Sequence, residues 1–430
     1  MKTEESSENE FFDVAVIGAG PAGCMAAIQA GKARKSVVLL ERNSEIGKKL
    51  LLTGKGRCNV SNSAGVCDLA ARFARHGGFY RHAFTRFSSG NLSRFFAASG
   101  LSLKTERQGR IFPVTDKASS VNEVLEKEMR AAGVNIYFNT RVISVTKSKG
   151  SFKLTVEGID RDIYARNVIV ATGGCSYTGT GSTGDGFLFA RSFGHDIEEL
   201  FPALVPLTVK EEWVKTLQGL TLKNIRIVFE CIKKKIVSDI GECMFTHFGI
   251  SGPLVLDLSG EILPYVIKNG SVNAYIDVKP GLALEQLESK FLKEFVTKGN
   301  MDLKNYLGTI LPHRLAVIFP EIAGILPGKK LNQITRPERK ALAVFLKKLS
   351  FTIDGSLPLN RAMVTAGGVS IKQIDAKSME SKKVFGLYFA GEVIAGHAPS
   401  GGYNLQQAFS TGYLAGENAA LSRAEGEGND

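Results

Sequence analysis

The stretch "FFDVAVIGAGPAGCMAAIQAGKARKSVVLLER", residues 11–42, decides the fold. Residues 14–17 read as a short apolar strand, and Gly18-Ala19-Gly20-Pro21-Ala22-Gly23 follows directly. A helical run of Ala, Met, Ile and Gln comes next, then a second strand at residues 36–40 that ends at Glu41. Each part has a mechanical purpose. Gly18 permits the tight turn, Gly20 lets backbone approach a pyrophosphate, and Gly23 lets the helix lie close on the strand. The helix start, with Pro21 and Ala22 in its first turn, offers free N–H groups and a positive dipole end to phosphates. Glu41, eighteen residues after Gly23, is placed to accept from a ribose diol, with Arg42 beside it. A glycine triplet alone is weak evidence. Strand, glycines, helix, second strand and acid in this order make a dinucleotide site.

A second unusual stretch, "GKKLLLTGKGRCNVSN" at residues 47–62, reads as the loop running along the outstretched cofactor. Its glycines permit close approach. The donors of Lys49, Lys55, Arg57 and Asn59 can meet phosphate and flavin oxygens. That reading makes the dinucleotide FAD. A P-loop is excluded, because Lys49 and Gly56 stand where that motif needs Gly and Ser or Thr.

Two further glycine turns follow apolar strands. "VIVATGGCSYTGTGSTGDG" carries Thr172, Gly173 and Gly174, with a helix expected near Gly186. "LYFAGEVIAGHAPSGGYNLQQAFSTGYLAG" carries Gly391 and Glu392, then Gly402, Tyr403, Asn404 and Leu405 at a helix start. A nucleotide motif with a partner some 370 residues later implies a discontinuous domain with the middle inserted.

The 430 residues allow two or three domains. No run of eighteen apolar residues is present, so no membrane span is expected. The six cysteines form no CxxC pair, which argues against a zinc ribbon and suits a reducing cytoplasm. No metal is expected. The acidic ends, residues 1–10 and 422–430, read as disordered tails. The net charge is +12, and the body between the tails carries roughly +17, an excess that favours a polyanionic partner.

Together "GKKLLLTGKGRCNVSN", "GRIFPVTDKASSV", "VIVATGGCSYTGTGSTGDG", "FTHFGISGP", "TAGGV" and "GGYNLQQAFSTGYLAG" resemble the BaiN/RdsA-type NAD(P)/FAD-dependent oxidoreductases over almost the whole chain. One departure is "VIAGHAPS", residues 393–400, where many relatives carry acidic residues; His397 reads as a local substitution. The resemblance implies an α/β chain: a discontinuous Rossmann-like FAD domain (1–200 and 358–430), a β-rich, barrel-like insert (201–280, returning at 349–357) and a helical insert (281–348). It implies that Gly391 and Glu392 contact the ribityl or pyrophosphate region, that Val142 joins the cofactor site, and that the helix at Tyr403-Asn404 points its N–H groups at the flavin. NADH or NADPH would be a transient donor. Assigned activities in the family are reduction of uridine in ribosomal RNA, reduction of dehydro bile acids, and oxidation of aminoacetone.

Residues 281–348 hold twelve Lys/Arg and six Asp/Glu, a net +6, which favours RNA over a small substrate. Cys58 in the flavin loop and His247 in "FTHFGISGP" are the candidate proton donors. An RNA-binding assembly factor carrying an incidental flavin is the alternative from another class.

Overall fold

The computed structural model describes residues 10–158, 162–326 and 328–422. Both acidic tails fall outside that range, apart from Glu10 and Ser422.

Strand β1 (Glu10–Ile17), helix α1 (Pro21–Lys32) and strand β2 (Val37–Leu40) form the expected βαβ unit. β1 pairs in parallel with β2, Val14 opposite Val37, and on its other side with β3 (Ile163–Val170), Val16 opposite Ile169. Asn135–Tyr137 extends the sheet beyond β2. The first half of β3 pairs with the antiparallel strand Ser151–Val156 and its second half with parallel β4 (Leu387–Phe389). The C-terminal segment thus adds a strand to the N-terminal sheet, as a discontinuous domain requires. Val14, Val16, Val37, Leu39, Val168 and Val170 are fully buried, the near-continuous apolar pattern of a parallel sheet covered on both faces.

Helix α2 (Tyr403–Leu421) packs on α1 at backbone contact. A Cβ at Gly412 would lie 2.2 Å from the Ala22 carbonyl oxygen, and one at Gly416 2.2 Å from that of Ala26. Small residues one turn apart let the last helix seat on the first, and this approach carries Gly402 to the cofactor motif.

The chain divides into two compact units. One ends at Phe201 and resumes at Leu359; the other is Pro202–Pro358. In the second unit, Thr221–Cys231, Gly241–Phe245, Gly249–Ser251, Leu207–Val209, Leu349–Ser356 and Val272–Asp277 are neighbours in that order, and the last pairs back with the first. They close an antiparallel barrel with Lys234–Val237 as an outer strand. The helices Leu284–Thr297, His313–Ile322 and Arg336–Lys347 lie in sequence between two adjacent barrel strands, Val272–Asp277 and Leu349–Ser356. The basic helical segment therefore belongs to the barrel unit. Arg336–Lys347 opens with a capping box: Glu338 N–H donates to Thr335 Oγ1, and Thr335 N–H donates to Glu338 Oε2.

Among the described residues, no helix is long and apolar enough to cross a membrane.

Candidate functional site

The glycines of the first motif divide by purpose. Gly18 has φ +99°, and a Cβ there would meet the Ala171 carbonyl at 2.7 Å. A Cβ on Gly23 would lie 1.8 Å from the Gly18 oxygen, so close helix–strand packing forbids it. A Cβ on Gly20 would meet nothing within 4 Å. No protein contact requires glycine there, and the open space is what an approaching pyrophosphate would fill. Gly20 caps α1 without any side-chain cap, so first-turn N–H groups remain available.

Glu41 is buried. Its Oε2 accepts from Ala19 N–H at 2.7 Å, and its Oε1 accepts from Asn43 N–H at 2.8 Å and from Asn43 Nδ2 at 2.7 Å. The carboxylate that would hold the ribose is thereby oriented by the glycine loop and by Asn43, a residue sequence reasoning passed over. Arg42 donates to Thr183 Oγ1 at 2.6 Å and lies 3.5 Å from Asp185. Val142 is buried at the start of Val142–Ser148, two residues after Thr140, whose N–H donates to the Glu41 carbonyl.

The three cofactor loops meet in one polar knot. Lys49 Nζ donates to Glu392 Oε2 at 2.9 Å and to Ser176 Oγ at 2.8 Å. Glu392 Oε1 also accepts from Thr365 N–H at 2.8 Å and Ser176 Oγ at 3.0 Å. Lys49 and Glu392 are therefore partners of one another, and their side chains fasten the loops. A Cβ on Gly174 would strike Thr365 Oγ1 at 2.3 Å, so the knot needs a glycine beside it. Gly173 takes φ +72°. Thr365 lies in "TAGGV", a segment with no role assigned from sequence, and nothing local in it signals this contact.

Arg57 is likewise engaged. Its guanidinium stacks on the Phe112 ring at 4.2 Å and pairs with Glu106 and with Asp116 at 2.6 Å. The loop holding it is strained, with Lys55 at φ +60° and Cys58 at φ +61°. Cys58 has no exposed surface, and burial raises its thiol to about 12. A group lining the cofactor would show surface here, so this placement fits a packing residue, unlike the proton donor expected from sequence. His247 is exposed in the turn between Gly241–Phe245 and Gly249–Ser251, in the barrel unit, with its ring edge-on to Phe248 at 4.9 Å.

At the third motif, Gly391 N–H donates to Thr411 Oγ1 at 2.9 Å and the Gly391 carbonyl accepts from Gln407 Nε2 at 3.1 Å. Gly402 takes φ +91°, where a Cβ would lie 2.1 Å from the Ser61 oxygen. No side chain caps α2. The backbone start of α2, at Tyr403, Asn404 and Leu405, keeps the character of an anion site. The Asn404 side chain is taken: its Oδ1 accepts from Ala398 N–H at 2.9 Å and its Nδ2 donates to the Ala398 carbonyl at 2.8 Å. Tyr403 is buried beneath Arg72, 5.4 Å from its ring.

Two buried oxygens in the cofactor loops have no partner, Asn59 Oδ1 and Thr172 Oγ1. Unsatisfied buried polar atoms are rare and costly. The open space at Gly20 and the free helix starts fit a bound flavin dinucleotide.

The HI0933-like protein Rossmann domain family matches residues 12–418. The chain belongs to this family. It is 32% identical over 409 residues to a 3-dehydro-bile acid delta(4,6)-reductase of Clostridium scindens, covering 95% of this chain and 98% of that protein. It is 31% identical over 409 residues to the ribosomal RNA dihydrouridine synthase of Haemophilus influenzae, covering 94% and 98%. Against that of Escherichia coli the identity is 29% over 415 residues, covering 96% and 100%. Among solved structures, a 3-ketosteroid delta1-dehydrogenase from Sterolibacterium denitrificans shares the fold with TM-score 0.55 at 12% identity, covering 96% of this chain and all of that one. The 3-ketosteroid-delta4-(5alpha)-dehydrogenase of Rhodococcus jostii does so with TM-score 0.51 at 15% identity, covering 97% and 99%. This HI0933-like protein is a flavin-dependent oxidoreductase.

Proposed function

We propose that this HI0933-like oxidoreductase holds FAD, takes electrons from NADH or NADPH, and reduces a carbon–carbon double bond conjugated to a carbonyl, with uridine in ribosomal RNA as the substrate. The C=C reduction is supported by two kinds of relative, the bile acid reductase and the dihydrouridine synthases, which act on different molecules that share an enone-like group. Residues around Gly20 and Glu41 would hold the FAD, and the start of α2 would favour the negative charge of its reduced ring. FAD, when bound, supplies hydride transfer. The protein supplies orientation and exclusion of water.

The observation that carries RNA is a helix face in the barrel unit. Arg336, Arg339 and Lys340 stand at i, i+3 and i+4 on Arg336–Lys347. Among the described residues none of the three has an ion-pair partner. Other cations of this segment are already used: Lys329 pairs with Glu338 at 2.6 Å, Lys347 with Asp277 at 2.6 Å, and Lys348 with Glu230 at 3.4 Å. The charge counted in the sequence thus reduces to a smaller set able to meet phosphates. Changing Arg336, Arg339 and Lys340 together to Gln should weaken binding to a ribosomal RNA fragment and lower the salt slope by up to about three. Dihydrouridine mapped in ribosomal RNA should fall in cells lacking the gene. Unchanged affinity, slope and dihydrouridine content would remove RNA and leave a small conjugated enone, the reading that the bile acid reductase favours.

A further inference from the structure

The loop between Gly391 and Gly402 joins two backbone elements assigned to the cofactor, and it presents one imidazole. His397 is half-buried, with its ring edge-on to Phe201 at 5.9 Å. Among the described residues, neither of its ring nitrogens has a hydrogen-bond partner in the protein, and neither is sealed from solvent. The backbone on each side is pinned. Before it, Tyr80 O–H donates to the Ala395 carbonyl at 2.8 Å and Ala395 N–H donates to the Val369 carbonyl at 3.0 Å. After it, Ala398 is held through both its N–H and its carbonyl by Asn404. Gly396 must be glycine, at φ +128°, because a Cβ would lie 3.0 Å from the Tyr80 ring and 3.1 Å from His76 Cβ. His76 is fixed in turn, Nε2 to Glu198 Oε2 at 3.0 Å, and Arg75 meets the same carboxylate oxygen at 2.8 Å. Two clamps thus fix the backbone on either side of an imidazole whose own hydrogen-bonding groups are idle, which suits a preorganised donor.

We propose that His397 is a catalytic residue that donates a hydrogen bond to the substrate's carbonyl oxygen while the conjugated C=C is reduced. This rests on the reading of the reaction given above. Hydride reaches the β-carbon, and the C=C electron pair moves through the α-carbon onto oxygen as an enolate. The His397 N–H stabilises that oxygen. A proton from solvent then adds at the α-carbon as the C=O re-forms. The two electrons come from NADH or NADPH, which leaves as NAD+ or NADP+. Burial, then the neighbouring His76, holds His397 down to about 4, so it works as a neutral imidazole. A neutral imidazole polarises a carbonyl without changing charge. Its ring meets Phe201, and the charged and titratable groups nearest its loop are His76, backed by Glu198 and Arg75, and Tyr80, both packed against Gly396.

The test separates the half-reactions of the holoenzyme. His397→Ala and His397→Gln are compared with wild type for flavin bleaching by NADH and NADPH. Anaerobic reoxidation of the bleached enzyme is then followed with 2-cyclohexenone and with a transcribed ribosomal RNA fragment. FAD content is the internal control. Alanine should leave bleaching within about threefold and slow reoxidation by roughly 10²-fold. Glutamine, which keeps an N–H donor, should recover at least a tenth of the wild-type rate. The 15N signal of the His397 imidazole, assigned by its loss in the variants, should shift when cyclohexanone is added to the oxidised protein. Reoxidation of the alanine variant at the wild-type rate, or an imidazole signal unmoved by the ketone, overturns the assignment. Should the glutamine variant reoxidise as slowly as alanine, hydrogen bonding is not the role. Wild-type enzyme that bleaches but is reoxidised by neither probe overturns the reaction itself.

Discussion

Replacing Gly20 by Ala separates the cofactor's demands from the fold's. Gly20 has φ −75° and ψ 177°, which alanine adopts without strain, and the added methyl would meet nothing within 4 Å. Two small terms oppose each other in stability. Alanine is a poorer N-cap than glycine, while the loss of unfolded-state entropy stabilises by about 0.4–1 kcal/mol. The urea midpoint of the cofactor-free protein should therefore correspond to a change within about 1 kcal/mol. Cofactor binding should respond much more. The methyl occupies the approach of the pyrophosphate to the start of α1, and a displacement there costs about 1–3 kcal/mol, or roughly 5- to 150-fold in FAD affinity. The assay is FAD titration by fluorescence quenching, beside urea unfolding of the same preparations. Gly23→Ala is the control of opposite sign, since its Cβ would lie 1.8 Å from the Gly18 oxygen and must disturb the fold itself. Unchanged FAD affinity in the Gly20→Ala protein would refute the argument that this space is held open for the cofactor. A large drop in stability would refute the argument that no protein atom needs it.

Gly416→Val should cost about 2–3 kcal/mol in urea unfolding, because its Cβ would stand 2.2 Å from the Ala26 oxygen and α1 and α2 would have to separate; an unchanged midpoint would show that the helices are not in backbone contact. Cys58→Ala should lower stability by about 1–2 kcal/mol through a small cavity while bleaching and reoxidation stay within about threefold; a 10²-fold slower reoxidation at full FAD content would restore Cys58 as the proton donor. His397 has a folded value near 4, below its unfolded value, so the unfolded chain takes the proton first as pH falls. Its contribution to stability is complete above about pH 6.5 and is lost on descending toward pH 4, the loss reaching about 2 kcal/mol by pH 5. His397→Gln should accordingly lose less stability than wild type between pH 8 and pH 5, and identical losses would contradict the burial that produces the shift.

The βαβ unit was legible in residues 11–42 because its constraints are local: an apolar strand, a turn only glycine can make, a helix, and a second strand within one short span. The capping box at Thr335 and the alternation at Thr221–Cys231 are equally local, since a helix start and a strand face are written in neighbouring residues. Side-chain partnership was not. Lys49 and Arg57 looked like free donors to a cofactor, yet Glu392, and Glu106 with Asp116, already hold them. Glu392 lies 343 residues from Lys49, and a sequence pattern carries no record of such distant pairs. Burial reversed the standing of two candidates. Cys58 is sealed within the core, while His397, set aside as a local substitution, keeps both ring nitrogens unpartnered between two clamps. Residue types along the chain determined which chemistry this protein could hold. Only the packing of Tyr80, His76 and α2 around one loop decided which imidazole stands free to do it, because availability depends on neighbours that the fold brings from hundreds of residues away.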